Sequence, residues 1–364
     1  MATEMSARTI VSRAPTRIDL AGGTVDLWPL YLFLKKPTTI NLGIDLFAEA
    51  TLSHEPSKGG AKITLRSADQ GIEHTFAPAD FLGEEREVHP ALVLHYKLLR
   101  HFYSEDRANE TITISTRALS PAGAGLGGSS TLSVALIGAI AAWKGKPVEP
   151  LLDGVRFIDI VKDVETTVIQ VPAGMQDYYG AMFGGLQALR WQPGENTREY
   201  LPESILGGLE SRLDLFYSGQ SRNSGINNWV LFKGCIDKQD GVRDKFARIA
   251  AASNDLETAL RAGDWQAAGR AITAEWEARR TLAPGISTPE IDRAFAEARA
   301  IAPGLSMKIC GAGGGGCFFL YNDSQDPALK QRVREVFTRA GMRHLPFKAV
   351  PRGLDVRTEP RSQG

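Results

Sequence analysis

The sequence contains little cysteine and no excess of either charge. Three cysteines are present, Cys235, Cys310 and Cys317, which have no metal-ligand spacing and leave an odd count. This usage is typical of a reducing compartment, not of a disulfide framework, and it gives no zinc site. Lysine plus arginine total 42, and aspartate plus glutamate total 42. Because the charges balance, the protein has no overall electrostatic attraction to nucleic acid or to an anionic membrane, and we expect neither as a partner. We expect binding to come from local sites.

Long hydrophobic runs, internal repeats and low-complexity tracts are also absent. The most apolar run covers residues 132–143. It is well below the roughly 20 residues that a membrane-spanning helix needs, and it predicts a buried core helix instead. Residues 1–10 are polar and lack the apolar core of a signal peptide, which favours a cytoplasmic protein. The sequence does not decide between a monomer and a homodimer.

Hydrophobic periodicity predicts a chain of mixed helices and strands. Strands are expected over residues 9–20, 40–53, 61–67, 110–116, 183–191, 212–217, 306–310, 317–321 and 345–350. Helices are expected over residues 89–102, 132–143, 155–169, 228–252, 255–282, 289–300 and 327–340. The chain exceeds the roughly 250 to 300 residues at which single cores stop growing, so two domains are expected. Pro193-Gly194 and Pro202 mark a connection, which places the domains at residues 1–195 and 196–364.

The most informative segment is a glycine-rich turn that leads directly into an apolar helix. Residues 121–131 read Pro-Ala-Gly-Ala-Gly-Leu-Gly-Gly-Ser-Ser-Thr. Glycines allow positive φ and let backbone N–H groups point inward, while a helix start adds unpaired donors and partial positive charge. Such a segment favours polyphosphate. In the alternative interpretation Ser129 or Ser130 is only a helix N-cap after an ordinary turn.

Two acidic residues are candidates for a site. Glu165 lies four residues after Val161 and four before Ile169, on an apolar helical stripe. A carboxylate there needs a cation or several donors unless this face lines a cleft, or else it lies at the edge of the stripe and reaches solvent. Asp177 ends a predicted loop over residues 173–177, where an aspartate is commonly a turn former.

The ends of two predicted strands carry further candidates. Arg17 and Asp19 share one face of the first strand, and they could form an ordinary ion pair on a half-solvated sheet. Asp26 follows the turn at Gly22-Gly23 and could cap the next segment. A second glycine-rich loop, residues 311–316, separates two strand-like runs and could be a simple hairpin or bulge.

Together these segments resemble the GHMP small-molecule kinases, named for galactokinase, homoserine kinase, mevalonate kinase and phosphomevalonate kinase. The resemblance covers nearly the whole chain, with residues 14–23, 121–131 and 308–316 as the three motifs in order. Residues 173–185 and 276–292 are similar to the sugar-kinase branch, most of all to D-glycero-D-manno-heptose 7-phosphate kinases, with galactokinase and fucose kinases as further relatives. The resemblance implies a two-domain α+β fold: an N-terminal mixed α/β domain, and a C-terminal ferredoxin-like antiparallel sheet with helices.

The resemblance also implies a reaction, the transfer of the γ-phosphoryl group of magnesium-bound ATP to a sugar hydroxyl, the anomeric one by family analogy. Asp177 would be the catalytic base, with Arg17 beside it. Ser129 and Glu165 would be the magnesium ligands, since hydroxyl and carboxylate oxygens are donors that magnesium accepts. The ATP-binding residues would be Pro121, Gly123, Gly125, Leu126, Gly127, Gly128, Ser129 and Ser130.

For the acceptor, the resemblance implies a small-molecule sugar or sugar phosphate. The residues expected to contact it are Asp19, Gly23, Asp26, Gln176, Arg222, Gly313 and Gly314. The second glycine-rich loop, residues 311–316, would approach both the acceptor and the glycine-rich turn of residues 121–131 through backbone N–H groups. Trp28, Tyr178 and Tyr179 are candidates for stacking on a sugar ring.

Departures from the heptose kinases keep alternatives open. Those enzymes typically carry lysine immediately before the Gln-Asp pair, where this chain has Met175, and a different first motif, where this chain has Thr24-Val25-Asp26 and the bulky Trp28. These changes weaken the case for an acceptor that already bears phosphate. Another alcohol, such as a sugar acid, a cyclitol or a mevalonate-like molecule, is the alternative acceptor. A non-catalytic nucleotide- or sugar-binding regulator is the alternative class of function. No motif marks an adenine pocket.

Overall fold

The computed structural model describes residues 8–57, 59–220, 224–239, 241–311 and 313–360. The strands in these residues are β1 (Arg8–Ala21), β2 (Thr38–Pro56), β3 (Ile63–Ser67), β4 (Ile72–Phe76), β5 (Glu110–Ala118), β6 (Leu186–Arg190), β7 (Thr197–Tyr200), β8 (Leu213–Tyr217), β9 (Ser306–Ile309), β10 (Cys317–Tyr321), β11 (Arg343–His344) and β12 (Asp355–Pro360). The α-helices are α1 (Val93–Phe102), α2 (Gly128–Trp143), α3 (Pro150–Ile169), α4 (Gln176–Phe183), α5 (Leu206–Glu210), α6 (Ser224–Ile236), α7 (Val242–Ala262), α8 (Trp265–Arg279), α9 (Pro289–Ile301) and α10 (Pro327–Arg339). Among the described residues, no helix is both long and apolar enough to cross a membrane.

The larger sheet contains eight strands and is built around the two longest. Its order is β12-β1-β2-β5-β3-β4, and β6 joins β2 and then β7. All of these pairs are antiparallel except β3 with β5. The pairing of β1 with β2 is irregular between Pro15 and Thr16 and again between Asp19 and Ala21. The second irregularity comes just before the turn at Gly22, where the strand delivers the first sequence motif to the site.

Helix α2 is the central helix of the larger layer, packed against β1 and β2. Twelve of its sixteen residues are buried, as expected for a helix that is apolar around most of its circumference. At Gly138 the helix lies so close to β1 that a Cβ atom would lie 2.5 Å from the Ser12 hydroxyl oxygen. The core helix expected over residues 132–143 is therefore confirmed.

The smaller sheet contains four antiparallel strands in the order β11-β8-β10-β9. Strands β8, β9 and β10 are short and strongly buried, and β9 packs against α8. The buried hydrophobic side chains form two clusters. The mixed N-terminal layer and the antiparallel C-terminal sheet with helices confirm the expected fold class. The predicted boundary between residues 195 and 196 stays a prediction; β7 and β12 both pair within the larger sheet.

Two predicted helix boundaries were wrong. The structure has three helices, α6, α7 and α8, where two were expected over residues 228–252 and 255–282. Gly263 adopts a left-handed φ of 67° and ends α7. Asp264 then accepts a hydrogen bond from the Ala267 amide at 2.8 Å, so it starts α8 as an N-cap. Gly241 likewise adopts a φ of 73° immediately before α7.

Some strand predictions also need correction. The strand expected over residues 183–191 is shorter, because Phe183 belongs to α4 and the left-handed Gly184 and Gly185 separate it from β6. The strand expected over residues 345–350 is absent from the described chain apart from one isolated bridge, Ile44 to Ala349. Strands β4, β7, β11 and β12 were not predicted. All four are edge strands with mostly exposed or half-buried residues, so they lack a strong apolar pattern.

Candidate active site

A cleft of about 540 Å³ lies beside the glycine loop, the name used here for residues 121–128. The loop itself, the first turn of α2, the end of α3 and the start of α4 contribute to its walls. The sequence-predicted residues that line it are Arg17, Asp26, Pro121, Gly123, Gly125, Gly127, Gly128, Ser129, Ser130, Glu165, Gln176 and Asp177. Segments that are far apart in the sequence therefore share one cavity.

Arg17 and Asp177 form an ion pair at this cleft. Arg17 is buried, and its Nε donates to Asp177 Oδ1 at 2.9 Å while Nη2 contacts the same oxygen. Nη1 donates to the carbonyl of Gly125 at 2.9 Å, which ties the arginine to the glycine loop. Burial by itself would lower the pKa of Arg17, but the negative charges of Asp177 and Asp19 raise it above its ordinary value. The arginine is therefore held charged beside the loop.

Asp177 lies in the first turn of α4, so the loop predicted over residues 173–177 was wrong at its last two positions. Its carboxylate is 26% exposed and lines the cleft. Two glycines make this placement possible. A Cβ on Gly127 would lie 3.0 Å from Asp177 Cγ, and a Cβ on Gly180 would lie 2.8 Å from Arg17 Cβ. Larger residues at these positions would separate the pair from the glycine loop.

Glu165 is buried, which excludes the interpretation that it reaches solvent. Tyr178 donates its hydroxyl to Glu165 Oε2 at 2.8 Å, and Ser133 donates to the same oxygen at 3.2 Å. Burial raises the pKa of Glu165, although hydrogen bonds from Ser129 and Tyr178 partly oppose the shift. The carboxylate thus lies where a cation would stabilise its charged form.

The oxygen donors here fit magnesium. Ser129 is exposed in the first turn of α2, and both it and Glu165 line the cleft. Within the residues that the structure describes, no group of three or more histidine, cysteine or acidic side chains forms a metal cage. Magnesium commonly keeps waters and substrate phosphates as ligands, so the protein needs to supply only a few. One hydroxyl and one carboxylate meet that need.

Asp26 is a second buried carboxylate at the cleft. Its Oδ2 accepts a hydrogen bond from the Gln176 amide at 3.0 Å. A Cβ atom on Gly174 would clash with this carboxylate, so a residue without a side chain is needed there. Burial raises the pKa of Asp26 to about 6. The Gln176 side chain is also buried, and its Oε1 has no hydrogen-bond partner among the described residues. Both side chains can therefore receive hydroxyl donors from a ligand.

Asp19 and Gly23 do not line the cleft but lie behind it. The Asp19 carboxylate is buried and accepts a hydrogen bond from Lys308 Nζ at 2.7 Å. Burial alone would raise the pKa of Asp19, but the charges of Lys308, Arg279 and Arg17 lower it. Because Asp19 is paired with Lys308 and Arg17 with Asp177, the half-solvated Arg17–Asp19 pair considered from the sequence is excluded.

The second glycine-rich loop, described for residues 311 and 313–316, contacts the glycine loop. Cys317 at its end donates its amide to the Ala124 carbonyl at 2.6 Å, and Gly311 lines the cleft. Gly313 and Gly314 lie elsewhere: the Gly314 amide donates to the Ile286 carbonyl at 2.9 Å. The substrate contact expected for Arg222 lies outside the described residues.

The aromatic residues considered for sugar stacking have different environments. Tyr178 and Tyr179 are buried, and Tyr179 packs against Trp191 and Phe183. The Tyr178 hydroxyl is directed to Glu165. Neither ring has a free face of the kind that stacking needs. Trp28 is 66% exposed, but it does not line the cleft.

Several cleft and supporting residues escaped the sequence analysis. Ser67, at the end of β3, and Asp69 and Gln70, in the turn that follows, also line the cleft. The sequence did not indicate these residues, because β4, the strand that follows them, has too little apolar character to mark the turn. Glu275 lies behind the first motif, where it accepts hydrogen bonds from the Gly22 amide and from Arg279, and it precedes the segment 276–292 that is similar to sugar kinases.

Comparison with known proteins agrees with this geometry. Residues 93–185 match the family model described as GHMP kinases N terminal domain, and residues 256–339 match the model described as GHMP kinases C terminal. The first match contains the glycine loop, Glu165 and Asp177. The second match contains α8, α9 and the second glycine-rich loop.

Individual relatives are similar over most of the chain. D-glycero-alpha-D-manno-heptose 7-phosphate kinase of Campylobacter jejuni is 26% identical over 87% of this chain and 90% of its own length. L-fucokinase/L-fucose-1-P guanylyltransferase of Bacteroides fragilis is 26% identical over 92% of this chain and 36% of its own length. The crystal structure of a D-glycero-D-manno-heptose 1-phosphate kinase from Bacteroides thetaiotaomicron superposes with a TM-score of 0.70 at 21% identity, covering 96% of this chain and 98% of that one. The chain belongs to the GHMP kinases, a family of small-molecule phosphotransferases.

Proposed function

We propose that this protein is an ATP-dependent kinase that transfers the γ-phosphoryl group to a hydroxyl of a sugar or sugar phosphate. The observation that carries the proposal is the position of the Arg17–Asp177 pair, which lies between the glycine loop and the buried Asp26 in one cleft. Similarity to sugar kinases supports the class of acceptor. The anomeric hydroxyl is the expected nucleophile by family analogy.

Asp177 would act as the base that accepts the proton of the attacking hydroxyl. Arg17 bonds Asp177 only through Oδ1, so Oδ2 is the atom that we expect to take the proton. The guanidinium also lies beside the Gly125 carbonyl, at the loop proposed to hold the phosphates. Positive charge at this position offsets the charge that develops during phosphoryl transfer.

The glycine loop and the start of α2 would hold the ATP phosphates through backbone N–H groups and the helix dipole. Ser129 and Glu165 would hold Mg²⁺, which neutralises phosphate charge when bound. The turn carrying Ser67, Asp69 and Gln70 would lie against the nucleoside part of ATP, because it shares the cleft wall with Ala118 and Ser120 just before the loop.

Asp26 and Gln176 would accept hydrogen bonds from acceptor hydroxyls, and Asp19 and Gly23 would support them from behind. Such buried polar groups reject ligands that lack the matching hydroxyl, because the groups would then be left without partners. We place the protein in the cytoplasm, where ATP is available and where the buried thiols of Cys235, Cys310 and Cys317 stay reduced.

The test is ADP release from ATP with a panel of free sugars, sugar phosphates including heptose 7-phosphate, sugar acids, cyclitols and mevalonate. Asp177→Asn is the matched variant, since it keeps the shape of the side chain and removes the base. We expect magnesium-dependent release with one sugar and a loss of about a hundredfold or more in Asp177→Asn, with nucleotide binding retained. Wild-type turnover in the variant would show that Asp177 is not the base.

Turnover restricted to mevalonate or a sugar acid would instead assign the protein to another branch of the family. If ATP binds but no panel member is phosphorylated, the non-catalytic interpretation gains support. Isothermal titration of nucleotide into the wild type and into Asp177→Asn separates these outcomes, because it measures binding without turnover.

A further inference from the structure

Arg279, at the end of α8, reaches across to the loop that follows β1. Its Nη2 donates to the Gly23 carbonyl at 2.7 Å, and its Nη1 donates to Thr24 Oγ1 at 3.2 Å. The two partners are about 255 residues away in the sequence. Thr24 lines the cleft, and Asp26 follows two residues later. One side chain of the C-terminal segment therefore holds the backbone of a loop at the cleft.

The arginine is part of a buried network of four charges. Glu275 Oε1 accepts from Arg279 Nε at 2.9 Å and Nη2 at 2.6 Å, and also from the Gly22 amide at 3.2 Å. Lys308 Nζ lies 4.0 Å from the same carboxylate oxygen. It donates to the Asp19 carboxylate, the fourth charge, at 2.7 Å and to the Asp19 backbone carbonyl at 2.8 Å. All four side chains are almost fully buried, which makes their hydrogen bonds strong and their loss costly.

The loop that they hold has an unfavourable backbone conformation. Thr24 adopts a φ of 70°, a region that β-branched residues rarely enter. Such a conformation persists only when its surroundings fix it. Contacts from Arg279 and Glu275 to Gly22, Gly23 and Thr24 account for this, since they fix three consecutive residues of the loop.

We propose that Arg279 is a positioning residue that sets the loop of residues 22–26 for acceptor binding, with Glu275 orienting its guanidinium. This inference rests on the proposed kinase function. The planar guanidinium donates two hydrogen bonds to Glu275 and one each to Gly23 and Thr24, whereas a lysine ammonium at the same helix position has only three N–H donors. The nucleotide side of the cleft has no contact with Arg279 in the described residues, so the effect falls on the acceptor.

The experiment compares Arg279→Lys with the wild type by steady-state kinetics with the accepted sugar. We expect the KM for the acceptor to rise about tenfold, the size of a lost charged hydrogen bond. The KM for ATP stays within about twofold, because the glycine loop is not touched. Arg280→Lys is the matched control: Arg280 is the next residue, is about one-third exposed and pairs with Asp292 at 3.4 Å. It should leave both KM values unchanged.

Hydrogen exchange gives a readout that does not need turnover. Backbone amides of residues 22–27 should exchange faster in Arg279→Lys, while those of residues 123–130 keep their wild-type rates. If the wild type phosphorylates no sugar, the proposed function fails, and this exchange measurement still tests whether Arg279 sets the loop.

Two outcomes would overturn the inference. One is a folded Arg279→Lys protein with an unchanged acceptor KM and unchanged exchange in residues 22–27. The other is an equal rise in both KM values together with faster exchange throughout, which would give Arg279 only a general structural role. If Arg279→Lys does not fold, the double variant Glu275→Gln with Arg279→Gln removes the charge pair as a unit and is tested in the same way.

Discussion

Asp26 has a carboxyl group in a position where burial favours its neutral form. Its pKa of about 6 in the folded protein compares with 3.8 for an ordinary aspartate. Above pH 6 the folded protein must hold a buried, negatively charged group that the unfolded chain would leave in water. At neutral pH this residue therefore lowers stability while it offers a charged acceptor to a hydroxyl-bearing ligand.

The variant Asp26→Asn should consequently be more stable than the wild type at pH 8. We expect a gain of up to about 3 kcal/mol in the free energy of unfolding, because each pKa unit corresponds to about 1.4 kcal/mol. The gain should shrink as the pH falls through 6 toward 3.8, since the folded wild type then takes up its proton. Denaturant unfolding at a series of pH values measures this difference.

Asp163→Asn is the control for Asp26→Asn, because Asp163 is three-quarters exposed on α3. Its stability should match the wild type at every pH. A loss of stability in Asp26→Asn at pH 8 would show that the hydrogen bond from Gln176 outweighs the burial of charge. Catalytic efficiency with the acceptor should fall in the same variant.

We predict that Glu165 acts as a magnesium ligand and not as a base that accepts a proton. In Glu165→Gln the carboxamide is a weaker ligand, so the magnesium concentration for half-maximal ADP release should rise at least about tenfold. A magnesium titration at fixed ATP measures the change. Ser133→Ala, which removes one hydroxyl donor to Glu165, should shift the curve much less. An unchanged curve for Glu165→Gln would contradict the ligand assignment.

At the scale of elements, the contact of α2 with the larger sheet depends on the absence of a side chain at Gly138. A methyl group there would meet Ser12 of β1 and also Leu354 and Val356, within about 3.1 Å. Gly138→Ala should therefore destabilise the protein by about 1 to 3 kcal/mol, in spite of the better helix propensity of alanine. The midpoint and slope of urea unfolding measure the change.

Gly207→Ala provides the control for Gly138→Ala. Gly207 also lies in a helix, α5, but a Cβ atom there would meet no neighbouring atom within 4 Å. This substitution should be neutral or stabilising by up to about 1 kcal/mol. If both variants lose stability equally, crowding at β1 is not the cause.

The elements that the sequence predicted well are those with a strong local pattern. Helix α2 could be predicted because its apolar run is uninterrupted, and β5 because buried residues alternate along it. Strands β1 and β2 each combine an alternating stretch with a continuous run of buried residues. The break between α7 and α8 was missed because Gly263-Asp264 lies inside a continuous amphipathic pattern. Strand β12 was missed because only its pairing with β1, more than 340 residues away, makes it a strand.

The site shows the same division between local and long-range information. The glycine loop and the hydroxyls at the start of α2 could be recognised within eleven consecutive residues. The pairing of Arg17 with Asp177 came from resemblance to a family, since no local pattern joins residues 160 positions apart. The Lys308–Asp19 and Arg279–Gly23 contacts depend on how the two sheets pack, which periodicity does not specify.

At the scale of the whole molecule, β12 covers the edge of β1. Six residue pairs join them, from Arg8 with Pro360 to Arg13 with Asp355. Val356 also packs on the core beside α2. A chain that ends at Leu354 should therefore unfold at a lower temperature and aggregate more readily, because the open edge of β1 offers unpaired N–H and C=O groups.

A chain that ends at Pro360 is the control for this truncation, since it retains every residue pair between β1 and β12. It should keep the wild-type midpoint of thermal unfolding. Equal stability of the two shortened proteins would mean that β12 contributes little to the larger sheet. Size-exclusion chromatography at increasing concentration would detect the expected aggregation.

The pairing of β12 with β1 has a consequence for how the protein is made. Strand β1 is translated before β12, and more than 330 residues lie between the two strands. The edge of β1 that pairs with β12 therefore stays unpaired until those residues have been translated. We expect the nascent chain to need shielding of that edge, and the larger sheet to be completed only when β12 pairs with β1.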